Sequence, residues 1–176
     1  GPKRTDVAVI GAGPGGYVAA FAAADKGLKV TLIDADPQPG GVCLNRGCIP
    51  SKALLHVARL INESREAEAW GVRFAPPEID IDALRQWKNS VVGKNSGGIR
   101  QLAKARGVEL IQAWARFENS QTLLLSSERD GEADQGRLEF QNAIIAVGSR
   151  PTVIPALNID SPRVMNSTDA LELAEV

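Results

Sequence analysis

Apolar positions bunch at the start of the chain and then settle into a repeating order. "TDVAVI", residues 5–10, is short, apolar and partly β-branched, which predicts a buried strand. The glycine-rich "GAGPGG" follows, and then "YVAAFAAADKG", whose alanines predict a helix ending at Gly27. "LKVTLID", residues 28–34, predicts the next strand. Strand, glycine turn, helix and strand in that order predict a βαβ unit and a parallel sheet.

Further along, Leu54, Leu55, Ala58, Leu60 and Ile61 recur at helical spacing and predict a helix within residues 51–70. "GVRFAPPEID" reads as a connector, with Pro76 and Pro77 at its centre. Asp80 or Asp82 is placed to cap a second helix running to about residue 106. Gly93, Gly97 and Gly98 fall inside that helix, each costing about 1 kcal/mol against alanine, and predict a break or a close packing contact. From residue 108 the pattern shortens. "VELIQAWARF", "TLLLSS", "RLEFQ" and "NAIIAVG" read as strands, with "ERDGEADQG", residues 128–136, as a polar hairpin tip. Residues 151–166 carry Pro151, Pro155 and Pro162 and read as irregular, and "STDALELAEV" reads as a capped helix start. The expected architecture is α/β: a parallel sheet plus a small antiparallel β-meander in residues 1–150, then a connector and helix start in 151–176.

Composition adds exclusions. The 176 residues are 44% hydrophobic and 23% charged, an ordinary globular balance. A net charge of −1 gives no broad electrostatic case for nucleic acid or an anionic membrane as partner. No apolar run reaches the ~18 residues of a spanning helix, since "AIIAVGSRPTVIPAL" is broken by Arg150 and two prolines. No charged-then-apolar leader opens the sequence.

Gly11, Gly13 and Gly16 form G-x-G-x-x-G between the first strand and the first helix. In that setting Gly11 allows the tight turn, Gly13 a close approach of pyrophosphate to the backbone, and Gly16 the packing of helix on strand. The helix N-terminus offers free N–H groups and positive dipole to phosphates. Asp34, 23 residues after Gly11, ends the second strand, where a carboxylate can accept from ribose hydroxyls. The plainer alternative is a tight βα turn with no ligand. The turn does not say which dinucleotide binds, because FAD and NAD share it.

Both cysteines, Cys43 and Cys48, lie in "GGVCLNRGCIPSK". Zinc takes about four ligands, and two cysteines with the single histidine, His56, fall short. No metal site is expected. Five residues of regular helix rise about 7.5 Å, beyond the ~7 Å between Cα atoms that a disulfide tolerates. A bridge therefore needs a distorted turn, for which Gly47 offers the freedom. Two buried, inert thiols remain the alternative.

"GGVCLNRGCIPSKALLH" resembles the active-site signature of the flavin-dependent disulfide reductases, the class I pyridine nucleotide-disulfide oxidoreductases. "VAVIGAGPGGYVAAFAAADKGLKVTLID" resembles their FAD fingerprint, "AIIAVGSRP" a later strand and turn that meets FAD, and "STDAL" a segment just beyond. "CIPSKALL" and "IDIDALRQWK" are most similar to the dihydrolipoamide dehydrogenase branch. The resemblance implies a Rossmann-like FAD-binding domain and a redox-active Cys43–Cys48 disulfide. It implies that Cys43 is the interchange thiol attacked by substrate. Cys48 is then the sulfur that faces the flavin and makes a charge-transfer interaction with it. Lys52 matches the family lysine at the flavin N5 edge, where a cation stabilises negative charge on the ring. Cofactor contacts are implied at Gly11, Gly13, Pro14, Gly15, Gly16, Asp34 and Ala35, and at Gly40, Gly41 and Val42. Ala115, Ala146, Val147, Gly148 and Ser149 complete the implied set. His56 reads as a helix-face residue.

For the complete enzyme the resemblance implies NAD as co-substrate, bound outside this segment. It also implies dihydrolipoamide on the lipoyl domain of 2-oxoacid dehydrogenase complexes as partner, a homodimer, and a cytoplasmic location, with no nucleic acid and no membrane. Two departures stand out: Asp34 occupies a position where glutamate is common, and Ala113-Trp114-Ala115-Arg116-Phe117 replaces a G-x-G-x-F. No second G-x-G-x-x-G follows residue 16. The likeness therefore covers only the N-terminal, FAD-facing part, truncated relative to the family, and little or no dehydrogenase turnover is expected of the isolated chain. The alternatives are a part of a glutathione or mercuric reductase, or a stand-alone flavin-binding module without turnover.

Overall fold

The first apolar run becomes the centre of the sheet. In the computed structural model, which describes residues 1–132 and 134–174, β1 (Lys3–Ile10) lies between β2 (Val30–Asp34) and β6 (Gly136–Ile145), parallel to both. The described strands form one sheet in the order β3-β2-β1-β6-β5-β4. Here β3 (Glu109–Gln112) runs parallel to β2, while β4 (Trp114–Asn119) and β5 (Thr122–Ser126) pair antiparallel with each other and β5 with β6. The expected parallel sheet with an antiparallel meander is thus present.

Burial explains why β1 has an unbroken apolar run. Val7 and Val9 face one core with Val30, Leu32, Ala20 of α1 (Pro14–Asp25) and Ala103 of α4 (Ile81–Ala105). Ala8 faces the opposite core with Ile33, Leu123, Leu125, Leu138 and Phe140. A strand covered on both faces needs no polar alternation. The meander supplies the second cover: β4 sits at the far edge of the strand order yet contacts β2, so the sheet curls back over its own face.

Several boundaries differ from the sequence reading. The second strand begins at Val30, not Leu28, because Leu28 is exposed and the Lys29 carbonyl serves the amides of Asp6 and Val7. "VELIQAWARF" is two strands: the chain leaves the parallel sheet at Ala113, whose amide donates to the Asp34 carbonyl, and enters the meander at Trp114. "RLEFQ" and "NAIIAVG" are instead one strand through Ile145. The two expected strands met at the polar pair Gln141 and Asn142, both exposed in the fold. β6 nevertheless continues, pairing with β5 through Glu139 and with β1 through Ile145.

The helix around the three glycines does not break. α4 is continuous from Ile81 to Ala105, capped by the Asp80 carboxylate, which accepts from the Ala83 amide at 3.0 Å. A Cβ at Gly93, Gly97 or Gly98 would meet nothing within 4 Å, so these glycines answer to no packing contact within the chain. α3 (Cys48–Glu66) starts three residues before the expected Ser51 and passes into a 3-10 turn, Ala67–Trp70. After β6 the connector holds one short 3-10 turn, Pro155–Leu157, and α5 (Ser167–Glu172); the last two residues of "STDALELAEV" lie outside the described residues. No described helix is long and apolar enough to cross a membrane.

Candidate functional site

At the C-terminal ends of β1, β2 and β6 two glycine loops meet. Gly11 leaves β1 at φ +102°, and a Cβ there would lie 2.2 Å from the Ala146 carbonyl oxygen. A Cβ on Gly16 would lie 1.6 Å from the Gly11 oxygen, so the helix packs on the turn only without one. Gly13 is the N-cap of α1, with Pro14 in its first turn and no acid there. The first-turn amides of Gly15 and Gly16 are left without intrahelical acceptors, which suits an anion.

The second loop, residues 35–41, is pressed against the first. Gly41 has φ +62°, and a Cβ on it would lie 2.6 Å from the Gly13 Cα. The Gly40 amide donates to the Ala12 carbonyl at 2.8 Å. α4 holds this loop from behind: Ser96 Oγ donates to the Pro39 carbonyl at 2.9 Å, and Arg100 donates to the Pro37 carbonyl. At the end of β2, Asp34 Oδ2 accepts from the Ala12 amide at 2.6 Å and Oδ1 from the Asp36 amide at 2.8 Å. The carboxylate therefore ties the β2 end to the glycine turn.

Beside these loops opens a cavity of about 630 Å³, within the usual range for cofactor sites. It lies where the connections from β1 run to β2 on one side and β6 joins on the other, the switch point at which parallel sheets bind ligands. Of the residues singled out from sequence, Gly11, Asp34, Ala35 and Val42 line it. Ala115, Val147 and Ser149 complete that group from the meander and the turn after β6. Ala146 and Gly148 shape that turn: the Ala146 amide donates to the Ile10 carbonyl at 2.8 Å, and Gly148 has φ +69°. Sequence reasoning missed Asp36, Arg46, Trp114 and Arg150, which also line the cavity. Arg46 Nη1 pairs with Asp36 Oδ2 at 2.7 Å. Arg46 lies inside the cysteine signature, so its place beside the nucleotide turn was the available signal. A larger cavity of about 750 Å³ lies at the other end of β1, around Arg4, Asp6 and Gln121, away from both glycine loops.

Cys43 and Cys48 are disulfide-bonded, with Cα atoms 4.7 Å apart. The shortfall from a regular helical rise comes from a break: α2 (Gly41–Arg46) ends at Gly47 and α3 begins at Cys48. A Cβ on Gly47 would lie 2.9 Å from the Val42 carbonyl oxygen, so the break closes tightly enough only with glycine. Pro50 falls in the first turn of α3, where its missing N–H has no role to lose, and the first helical bond runs from the Ser51 amide to the Gly47 carbonyl. Cys48 is exposed, Cys43 half-buried, and Lys52 exposed one turn beyond Cys48. His56 is exposed on α3, and no cluster of metal-ligating side chains occurs among the described residues.

Residues 5–176 match the family described as pyridine nucleotide-disulphide oxidoreductase. The chain belongs to that family. Both glycine loops and the disulfide fall within the matched residues. Among curated relatives it is 47% identical over 173 residues to a dihydrolipoyl dehydrogenase of Haemophilus influenzae and 46% identical to one of Vibrio cholerae. It is 44% identical over 172 residues to a dihydrolipoyl dehydrogenase of Halobacterium salinarum. Each alignment takes in 98% of this chain but 36% of the relative, so the chain spans about a third of the length of these oxidoreductases.

Proposed function

We propose that this chain is the FAD-holding, disulfide-bearing part of a dihydrolipoyl dehydrogenase. Residues 1–150 form the cofactor-facing unit, and 151–176 form the connector toward the nicotinamide-binding part. The observation that carries the reading is the abutment of Gly41 on Gly13, because it puts the disulfide-bearing segment and the dinucleotide turn in van der Waals contact.

The residues fit FAD. The first-turn amides of α1 and Gly13 would receive the pyrophosphate, Asp34 keeps lone pairs that would serve the ribose beyond its two loop bonds, and Ala115 would offer its backbone to the adenine side. When bound, FAD supplies the two-electron chemistry that side chains lack. The chain's own chemistry is thiol–disulfide exchange. A dihydrolipoamide thiolate attacks Cys43, Cys48 leaves as thiolate, and the second substrate thiol resolves the mixed disulfide. Position N1 of α3 favours that leaving thiolate through the helix dipole. The exposure of Cys48 is what the reading requires of the sulfur assigned to the flavin, and Lys52 one turn on supplies a cation beside it. In the complete enzyme NAD is the electron acceptor, a homodimer is the assembly and the lipoyl domain of a 2-oxoacid dehydrogenase complex is the partner, in the cytoplasm.

Titration of the purified chain with FAD tests the reading. Saturable quenching of flavin fluorescence is expected, and its absence in both this chain and a chain extended to the relatives' full length would overturn it.

A further inference from the structure

Away from the cavity a buried cation addresses a helix end. Lys88 of α4 is 2% exposed, and its Nζ donates to the Leu171 carbonyl at 2.5 Å. One turn earlier on the same helix, Arg85 donates through Nε to the Glu172 carbonyl at 3.0 Å and through Nη2 to the Leu173 carbonyl. Two cations thus take three successive carbonyls at the end of α5, which have no intrahelical donors of their own. They also meet the negative end of the helix dipole.

α5 needs such support. It has six residues, too few to hold helical form alone. Its start is secured by a capping box between Asn166 and Asp169. Its end carries Leu173 at φ +50°, a left-handed conformation costly for a side-chain-bearing residue. α5 packs against α2, the helix that carries Cys43. The connector therefore leaves the nucleotide cavity at Ser149 and Arg150 and returns to the other functional feature of the domain.

We propose that Arg85 and Lys88 form a latch that seats α5 on the Cys43-bearing helix and restrains the disulfide against attack by thiols. They are positioning residues: neither touches the sulfurs. Thiol–disulfide exchange needs an approach to one sulfur and departure of the other; Cys48 stays exposed, so the restraint acts through α2, whose hold by α5 limits how freely Cys43 parts from Cys48. Releasing the latch frees α5, loosens its hold on α2 and speeds reduction.

The test uses the full chain without flavin, so it stands apart from the cofactor reading. Hydrogen exchange of the 167–174 amides reports the seating of α5. Dithiothreitol reduction reports the disulfide: its two thiols give two electrons and two protons, the Cys43–Cys48 bond becomes two thiols, and the reagent closes to its cyclic disulfide. In Lys88→Met, faster exchange of the α5 amides and reduction accelerated about threefold or more are expected. Lys88→Arg, which keeps a donor cation, should leave both near wild type, and Arg85→Met should shift both in the same direction as Lys88→Met by less. If Lys88→Met fails to fold by circular dichroism, Arg85→Met, altered at a partly exposed side chain, decides alone. Unchanged α5 exchange in the variants, unchanged reduction with α5 freed, or Lys88→Arg behaving as Lys88→Met would each overturn the latch.

Discussion

The Asp34 carboxylate accepts the amide of Ala12 at 2.6 Å, joining the end of β2 to the middle of the glycine turn. Its other oxygen accepts the Asp36 amide, so one side chain sets two loops that border the cavity. The residue reads from sequence as a ribose ligand, and in the fold it also braces the turn that would cradle the pyrophosphate. Asp34→Ala leaves a part-buried amide without an acceptor and should cost about 1–3 kcal/mol in urea denaturation. Asp34→Asn keeps one acceptor oxygen and should fall between wild type and Ala. An Asn variant as unstable as Ala would sink the bracing role.

Gly41 and Gly13 give a sharper test of the shared cradle. At φ +62° any side chain at position 41 is strained, and its Cβ would overlap the Gly13 backbone at 2.6 Å. Gly41→Ala should destabilise the chain by about 1–3 kcal/mol. Because the displaced atoms belong to the turn, FAD affinity should fall at least tenfold even where the variant remains folded. Native affinity in a folded Gly41→Ala chain, read by flavin fluorescence, would separate the second loop from the cofactor site.

Gly93 predicts the opposite sign. It sits inside α4 with nothing within 4 Å of a Cβ, on an exposed position of an unbroken helix. Gly93→Ala should stabilise the chain by about 0.5–1 kcal/mol, through helix propensity alone. A melting temperature unchanged or lowered would mean that the position has a neighbour in solution.

These cases mark how far the residues could be read in advance. The βαβ unit was legible because β1 is apolar throughout Val7–Ile10 and the glycines punctuate it. The cap at Asp80 was legible because the motif is local. The glycines of α4 misled because propensity is a weak local term, and the packing of Val92, Ile99 and Ala103 keeps the helix continuous through them. The division at Ala113 and the continuity of β6 were not legible. Both depend on which neighbours a strand finds across the sheet, and that is settled by pairing far along the chain. The cavity roles of Arg46 and Asp36 were hidden for the same reason: ten residues apart in sequence, they meet only because Gly41 brings α2 against the turn.

The asymmetry between the two sulfurs yields the last prediction. Cys48 is exposed and occupies the first position of the 19-residue α3, while Cys43 is half-buried within the short α2. After reduction, access and the helix dipole both act on Cys48, because the N-terminal end of a helix favours a thiolate and the thiolate is the form that alkylates. In the reduced chain without flavin, iodoacetamide should therefore modify Cys48 before Cys43, as resolved by peptide mass spectrometry. Added FAD should slow modification of Cys48 selectively if the exposed sulfur is the one the cofactor covers. Protection of Cys43 instead would reverse the roles assigned to the two sulfurs, and protection of neither would place the flavin away from the disulfide. The order without flavin tests the helix geometry, and the change on adding flavin tests the functional assignment, so the two can fail separately.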